Sequence, residues 1–255
     1  MRKFTSKSFY IFLSIIVFIK GCDNHSKNID PIKGFELVAL KLEDAINYEI
    51  KSKNLNAISM VLVDDQKIAW AKGFGYEDPK RKIKADANTV YRVGSVSKLF
   101  TDMAIMQRVE KGEIDLDEPI QTYLPDFNPL NPYKTPITLR QMMSHRSGLL
   151  REPRKGNYFT DDEISLKATV ESIIPSKLIH EPESKTKYSN AAIAVAGYTL
   201  EVLYQTPYVK YMQKHILEKI GMNNSAFAPN KNIISRLAKA TMWSYDNRIF
   251  AAPTF

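Results

Sequence analysis

One cysteine in 255 residues, Cys22, has no partner for an intrachain disulfide, so the chain neither requires nor excludes an oxidising compartment. A basic stripe interleaved with aromatic residues is also missing. The formal charge of +8 points at first to an anionic partner. However, Arg2, Lys3, Lys7 and Lys20 lie in the first 21 residues, which hold no acid, and the rest of the chain carries only +4. Those remaining bases are mixed with acids, as in EDPKRKIK and EKGEIDLDE, which argues against nucleic acid as a partner. No internal repeat, low-complexity tract or regular βαβ alternation runs along the sequence.

What is present begins with an export signal. Arg2, Lys3 and Lys7 form a basic start, SFYIFLSIIVFI over 8–19 is apolar, and Lys20-Gly21 lead into Cys22. The apolar run is too short to span a bilayer comfortably as a mature helix. A small residue directly before a lone cysteine resembles the bacterial lipobox, in which that cysteine carries the lipid; an ordinary signal peptide with an incidental buried cysteine is the alternative. The expected organisation is therefore a lipoprotein-type signal peptide over 1–21, a polar tether over 22–34 and a folded domain over 35–255. The localisation expected is the bacterial cell envelope, with a membrane attachment through lipid on Cys22.

Apolar residues make up 44% of the chain and aromatics 11%, ample for a buried core. Val38, Leu42, Ala45, Ile46 and Ile50 recur at helical spacing from Phe35 onward. AISMVLVDD and KIAWAKGFGY are two β-rich runs joined at Asp64-Asp65-Gln66, a hairpin signal. NTVYRVG reads as a strand leading to Ser95, and a helix follows that stops at Lys111-Gly112. Helices are expected at Thr138–Met143, over 160–180, in SNAAIAVAGYTLEVLYQ, and in PYVKYMQKHILEKIGM ending at Gly221. Strands first and helices after give an α+β fold: an antiparallel sheet flanked by helices plus a largely helical subdomain.

The residues able to do chemistry sit at two helix starts. A serine hydroxyl needs a base within hydrogen-bond reach, and at i and i+3 of a helix start Lys98 can return its amine to Ser95. The free N–H groups of that turn face any negative charge that develops there. Spacing alone is a weak signal, because Ser184-Lys185-Thr186-Lys187 repeats it in a loop with no helix behind it. Ser97 reads as a helix cap. Tyr188-Ser189-Asn190 opens a second helix and supplies a phenol that relays a proton and an amide that clamps a substrate. Tyr245-Asp246-Asn247 copies that triplet, so the pairing of Ser95 with Tyr188 carries more weight than either motif.

YRVGSVSKLFTDMAIMQRVEKGEIDLDEPI, ITLRQMMSHRSGLL and YSNAAIAVAGYTLEVL followed by HILEKIGMNNSAF closely resemble the serine β-lactamase-like hydrolases of the penicillin-binding-protein superfamily: class C β-lactamases, D-alanyl-D-alanine carboxypeptidases and related esterases. The resemblance runs from about residue 35 to about 228 in the family's order. It implies a β-lactamase/transpeptidase-like fold and an acyl-enzyme mechanism on an amide, β-lactam or ester carbonyl, without a metal or organic cofactor. In it Ser95 is the nucleophile, Lys98 its general base or proton partner, Tyr188 the proton donor to the leaving group, and Asn190 a substrate and lysine contact. His145-Arg146-Ser147-Gly148 matches the family's His-x-Ser-Gly turn, which implies a structural loop beside the site. The expected partner is a small molecule or peptide with a reactive carbonyl.

The family's third motif, Lys-Thr-Gly or His-x-Gly on a strand, finds no match after Asn190, and neither do the C-terminal strands and closing helix of the sheet. The expectation is a chain truncated at its C-terminus and close to inactive alone. A non-catalytic cell-envelope binder with a degenerate site is the rival reading.

Overall fold

The computed structural model describes residues 28–157, 164–246 and 248–252. Helix α1, Glu36–Lys53, lies on a hairpin of β1, Ala57–Asp64, and β2, Lys67–Asp78. Asp65 and Gln66 both take positive φ, 43° and 62°, as a two-residue hairpin turn of the type I′ kind requires. Alternation along the strands then decides which side chains meet the helix. Ile58, Met60 and Leu62 of β1 and Trp70 and Phe74 of β2 pack on Ala39, Leu42, Ile46 and Ile50. Lys72, between Trp70 and Phe74 in this register, reaches Glu43 of α1 at 2.8 Å. Val38 and Ala45, expected on the buried stripe, are exposed, and Ala39 takes the inner position instead. A short β3, Ile83–Lys84, pairs with the end of β2.

The second and larger core is helical. Helix α2, Ser97–Val109, packs against α5, Asn190–Tyr204. Between them in sequence come α3, Leu139–Met143, and α4, Leu166–Glu171. Ile105, Leu139, Met142, Leu149, Ile173, Val195 and Leu200 all belong to this one core. Helix α3 is only five residues long but is fixed by a capping box: Thr138 Oγ accepts from the Gln141 N–H and Gln141 Oε1 accepts from the Thr138 N–H. The helix expected over 160–180 is limited, among the described residues, to the six of α4. Ser165 caps its start, and Pro175, which cannot continue a helix, follows closely on its end. The expected helix ending at Gly221 is α6, Tyr208–Met212, continued by a π-helical turn over Gln213–Leu217.

Three further differences from the sequence reading have local causes. Residues 29–32, expected in the tether, dock along β2: Ile29 and Ala71 exchange backbone hydrogen bonds of 2.7 and 3.1 Å, and the Ile32 N–H reaches Ala69 O at 2.9 Å. The β-favouring run before Ser95 forms a single bridge, from Val90 to Leu237, because Gly94 at φ 51° turns the chain away. After α7, Lys231–Arg236, a separate hairpin of β4, Thr241–Trp243, and β5, Ile249–Ala251, was not anticipated.

Among the described residues β1 pairs only with β2, so its outer edge is open. Val61 and Val63 on β1, Val96 just before α2, and Leu99 and Met106 on α2 are exposed. No helix among the described residues is long and apolar enough to cross a membrane.

Gly73 marks a close backbone approach in the sheet, since a Cβ there would stand 2.3 Å from the Asp86 nitrogen. Gly73→Ala is expected to lower stability by about 1–3 kcal/mol through overpacking, read as a fall in the urea midpoint at unchanged slope.

Candidate active site

Ser95 lies in a single 3₁₀ turn, Gly94–Val96, that leads into α2. In such a turn side chains at i and i+3 nearly eclipse, which brings Lys98 directly over Ser95. Lys98 Nζ stands 3.1 Å from Ser95 Oγ. From 93 residues further along the chain, the Tyr188 hydroxyl donates to the same Oγ at 2.7 Å. Lys98 Nζ also sits 5.0 Å from the centre of the Tyr188 ring. Three of the four residues predicted to act together thus meet at one oxygen.

Tyr188 is placed by the loop 145–152 as much as by α5. The α5 cap, Ser189, accepts from the Ala192 N–H at 2.9 Å and donates its hydroxyl to Leu150 O at 2.7 Å. The Arg151 carbonyl accepts the N–H groups of Asn190 and Ala191, at 2.7 and 3.2 Å. His145 accepts the Ser189 N–H on Nδ1 at 3.3 Å and packs its ring 4.4 Å from that of Tyr188. Burial first, and then the charge of Lys98, push the His145 pKa down, so the ring is neutral at physiological pH. With Nδ1 occupied as an acceptor, its geometry is that of a positioning group, in agreement with the structural loop that the His-x-Ser-Gly turn implied. Gly148, at φ 78°, passes so close to His180 that a Cβ would lie 2.2 Å from its carbonyl oxygen. That contact pins the loop on its far side.

Electrostatics favour an acidic phenol. Burial raises the Tyr188 pKa, but hydrogen bonding with Lys98 and Ser95, with the charges of Lys98 and Arg151, outweighs it and holds the phenol below its ordinary value. The Arg151 guanidinium stacks 5.2 Å from the ring centre. Asn190, the fourth predicted residue, does not touch Ser95. Its Nδ2 donates to both carboxylate oxygens of Glu152, at 2.7 and 2.9 Å. Glu152 and Arg151 escaped the sequence reading; their only signal was their position just after the His-x-Ser-Gly turn. Asp102 escaped it too, although it lies four residues after Lys98 on the same helix. Burial raises the Asp102 carboxyl to about 6 against the opposing pull of Lys98, and its Oδ1 is buried without a hydrogen-bond partner.

The decoys separate cleanly. Ser184 lies outside any helix and spends its hydroxyl on Glu181 O at 2.6 Å. Tyr245 is fully exposed. Ser97 corrects the expected cap: it is the first residue of α2 and donates to Gly94 O at 2.7 Å, and no side chain caps that helix because the 3₁₀ turn already runs into it. Cys22, with the whole segment expected to be a signal peptide, lies outside the described residues.

A helix-start Ser-x-x-Lys meeting a Tyr-x-Asn helix start, beside a small antiparallel sheet, defines a protein of the β-lactamase/transpeptidase type. The family profile described as Beta-lactamase matches residues 42–254, and the chain belongs to that family. It is 31% identical over 239 residues to "Beta-lactamase-like protein 2" of Dictyostelium discoideum, covering 89% of this chain and 43% of that one. Among solved structures it resembles an octameric penicillin-binding protein homologue from Pyrococcus abyssi, with a TM-score of 0.73 and 26% identity over 84% of this chain and 50% of that one. It also shares its fold with EstCE1, a hydrolase with promiscuous acyltransferase activity, with a TM-score of 0.74 and 23% identity over 85% of this chain and 59% of that one. The chain thus spans about half the length of these proteins.

Asp102 generates a test of the site's electrostatics. Between about pH 4 and 6 the folded protein holds a proton on Asp102 that the unfolded chain has released, so stability falls as pH rises through that window. Asp102→Asn is expected to flatten this slope and to gain on the order of 1 kcal/mol at pH 7, discounted for the solvent that still reaches the side chain. Urea unfolding at several pH values measures it.

Proposed function

We propose that the protein is a serine hydrolase that attacks an amide, β-lactam or ester carbonyl through Ser95 and passes through an acyl-enzyme. The double contact on Ser95 Oγ, from Lys98 and Tyr188, is the observation that most supports this reading. As the Oγ–carbon bond forms, the serine proton passes to whichever of the two groups is in its basic form, the Lys98 amine or the Tyr188 phenolate. N–H groups at the start of α2 face the oxyanion. Collapse of the tetrahedral adduct breaks the bond to the leaving group, which takes a proton from the Tyr188–Lys98 pair. Water then adds to the ester on Ser95 and gives a proton to the same pair. The Oγ–carbon bond breaks, Ser95 is reprotonated, and a carboxylic acid leaves. Membership of a hydrolase superfamily is consistent with this chemistry, and an intact set of contacts at Ser95 gives a non-catalytic binder no support.

We also propose that the protein is exported and held at the cell envelope by lipid on Cys22, on the strength of the basic start, apolar run and lone cysteine.

With the full natural protein that contains these residues, a fluorescent fluorophosphonate should label the wild type and leave Ser95→Ala unlabelled. Lys98→Ala and Tyr188→Phe should label about 10²–10⁴ times more slowly, the range for loss of a positioned acid or base. Equal labelling of Ser95→Ala would refute the assignment. For the anchor, Cys22→Ser should move the exported protein from the membrane fraction to the soluble one, and an unchanged distribution would remove Cys22 from its role.

A further inference from the structure

The side of α1 that packs on the sheet is centred on Ala39 and Ile46. At about 100° per residue, the opposite stripe of the helix holds Leu37, Lys41, Asp44, Tyr48 and Lys51, with Leu40 on its flank. Leu37, Leu40 and Tyr48 are 62%, 56% and 70% exposed, and Ile32 and Val38 beside the helix start are exposed as well. A helix that met only water on this side would carry polar residues at these positions. Lys33, Lys41 and Lys51 are exposed and form no ion pair among the described residues, whereas Glu43 and Glu49 on the same helix are paired with Lys72 and Lys53. Asp44 is the one acid on the stripe.

The chain that leads into α1 limits what can cover this face. Asn28 Oδ1 accepts the Gly73 N–H at 3.0 Å, Ile29 and Ile32 bond to β2, and α1 begins soon after at Glu36. Residues 23–27 alone then separate Cys22 from the folded domain. Fully extended, that stretch spans no more than about 20 Å, roughly half the width of a domain of this size. Lipid on Cys22 therefore holds a bilayer close to the surface where residues 28–37 run. A few apolar side chains bind a bilayer weakly by themselves, but so short a tether keeps them at high effective concentration beside it. Tyrosine suits the boundary between water and lipid, and lysine stems can lie along apolar neighbours with their ammonium groups at the headgroup phosphates.

We propose that the outer face of α1, from Leu37 to Lys51, lies in the headgroup region of the phospholipid bilayer that holds Cys22, so that anchor and helix together fix how the domain sits on the membrane. The inference rests on the reading of Cys22 as the site of lipid attachment. The helix lies along the surface and does not cross it, in keeping with its charged residues on every side.

The test uses the full natural protein in its lipidated form, reconstituted in vesicles of phosphatidylcholine and phosphatidylglycerol, with any cysteine outside these 255 residues replaced by serine. Lipid occupies the Cys22 thiol, so Leu40→Cys, Tyr48→Cys and, as a reference on the helical subdomain, Glu218→Cys each offer one thiol to an environment-sensitive fluorophore. All three positions are exposed, which spares the fold. At Leu40 and Tyr48 the emission should shift to the blue and fall about twofold or more when the lipid carries a nitroxide high on its acyl chain, near the depth of about 5–10 Å at which such a helix lies. At Glu218 neither change is expected. Adding Leu37→Glu and Leu40→Glu should largely restore the emission at Tyr48 while the protein still floats with the vesicles. Absent quenching at Leu40 and Tyr48, equal quenching at all three positions, or quenching at Tyr48 that the two glutamates leave unchanged would each overturn the proposal. So would a blue shift that nitroxide lipid does not quench, because it places protein on this face, either the rest of the natural chain or a second copy. Flotation without quenching defeats this inference alone, whereas a wild type that does not float with the vesicles defeats the anchor reading with it.

Discussion

Ser95 Oγ receives one contact from its own helix turn and one from a residue 93 positions away, and the second depends on how α5 begins. Ser189 caps α5 and at the same time ties it to Leu150, while the Arg151 carbonyl takes the next two N–H groups. These bonds leave Tyr188, the residue just before the cap, little freedom. The packing of α2 on α5 in one helical core then sets the separation between phenol and serine. A buried cap of this kind has a double effect, because its loss would loosen both the helix and the active-site loop.

Charge is arranged around the phenol more than around the serine. Lys98 and Arg151 face the Tyr188 ring at 5.0 and 5.2 Å, and both lower its pKa. His145 packs on the same ring as a neutral group, so it shapes the site without adding a third positive charge. Asp102, one turn further along α2, has its carboxyl raised to about 6 by burial against the opposing pull of Lys98. Such an arrangement suits the proton transfers proposed for Ser95 and Tyr188.

Much of this was legible in the sequence, for physical reasons that also explain what was not. Ser95 and Lys98 could be paired because a helix start fixes the geometry of i and i+3, and Ser184 could be set aside because no helix follows it. The hairpin at Asp64-Asp65-Gln66 was visible because turn chemistry is local. Glu152 and Arg151 were hidden because a loop turning at His145 and Gly148, with φ of 60° and 78°, decides where they fall, and no periodicity encodes that. The run before Ser95 reads as a strand by β propensity but has only one bridging partner, since propensity does not supply a neighbour. Residues 29–32 read as tether by their polarity, yet they pair through backbone groups that composition does not reveal.

The central claim is that Ser95 becomes covalently acylated. Tryptic cleavage after Arg92 and Lys98 releases Val93–Lys98, which contains both Ser95 and Ser97. Peptide fragmentation after brief incubation of the full natural protein with a β-lactam or an activated ester therefore separates the two. An acyl adduct is expected on Ser95 and is absent when the protein is first treated with excess fluorophosphonate. An adduct on Ser97 or Ser184, or none while substrate is consumed, would contradict that claim.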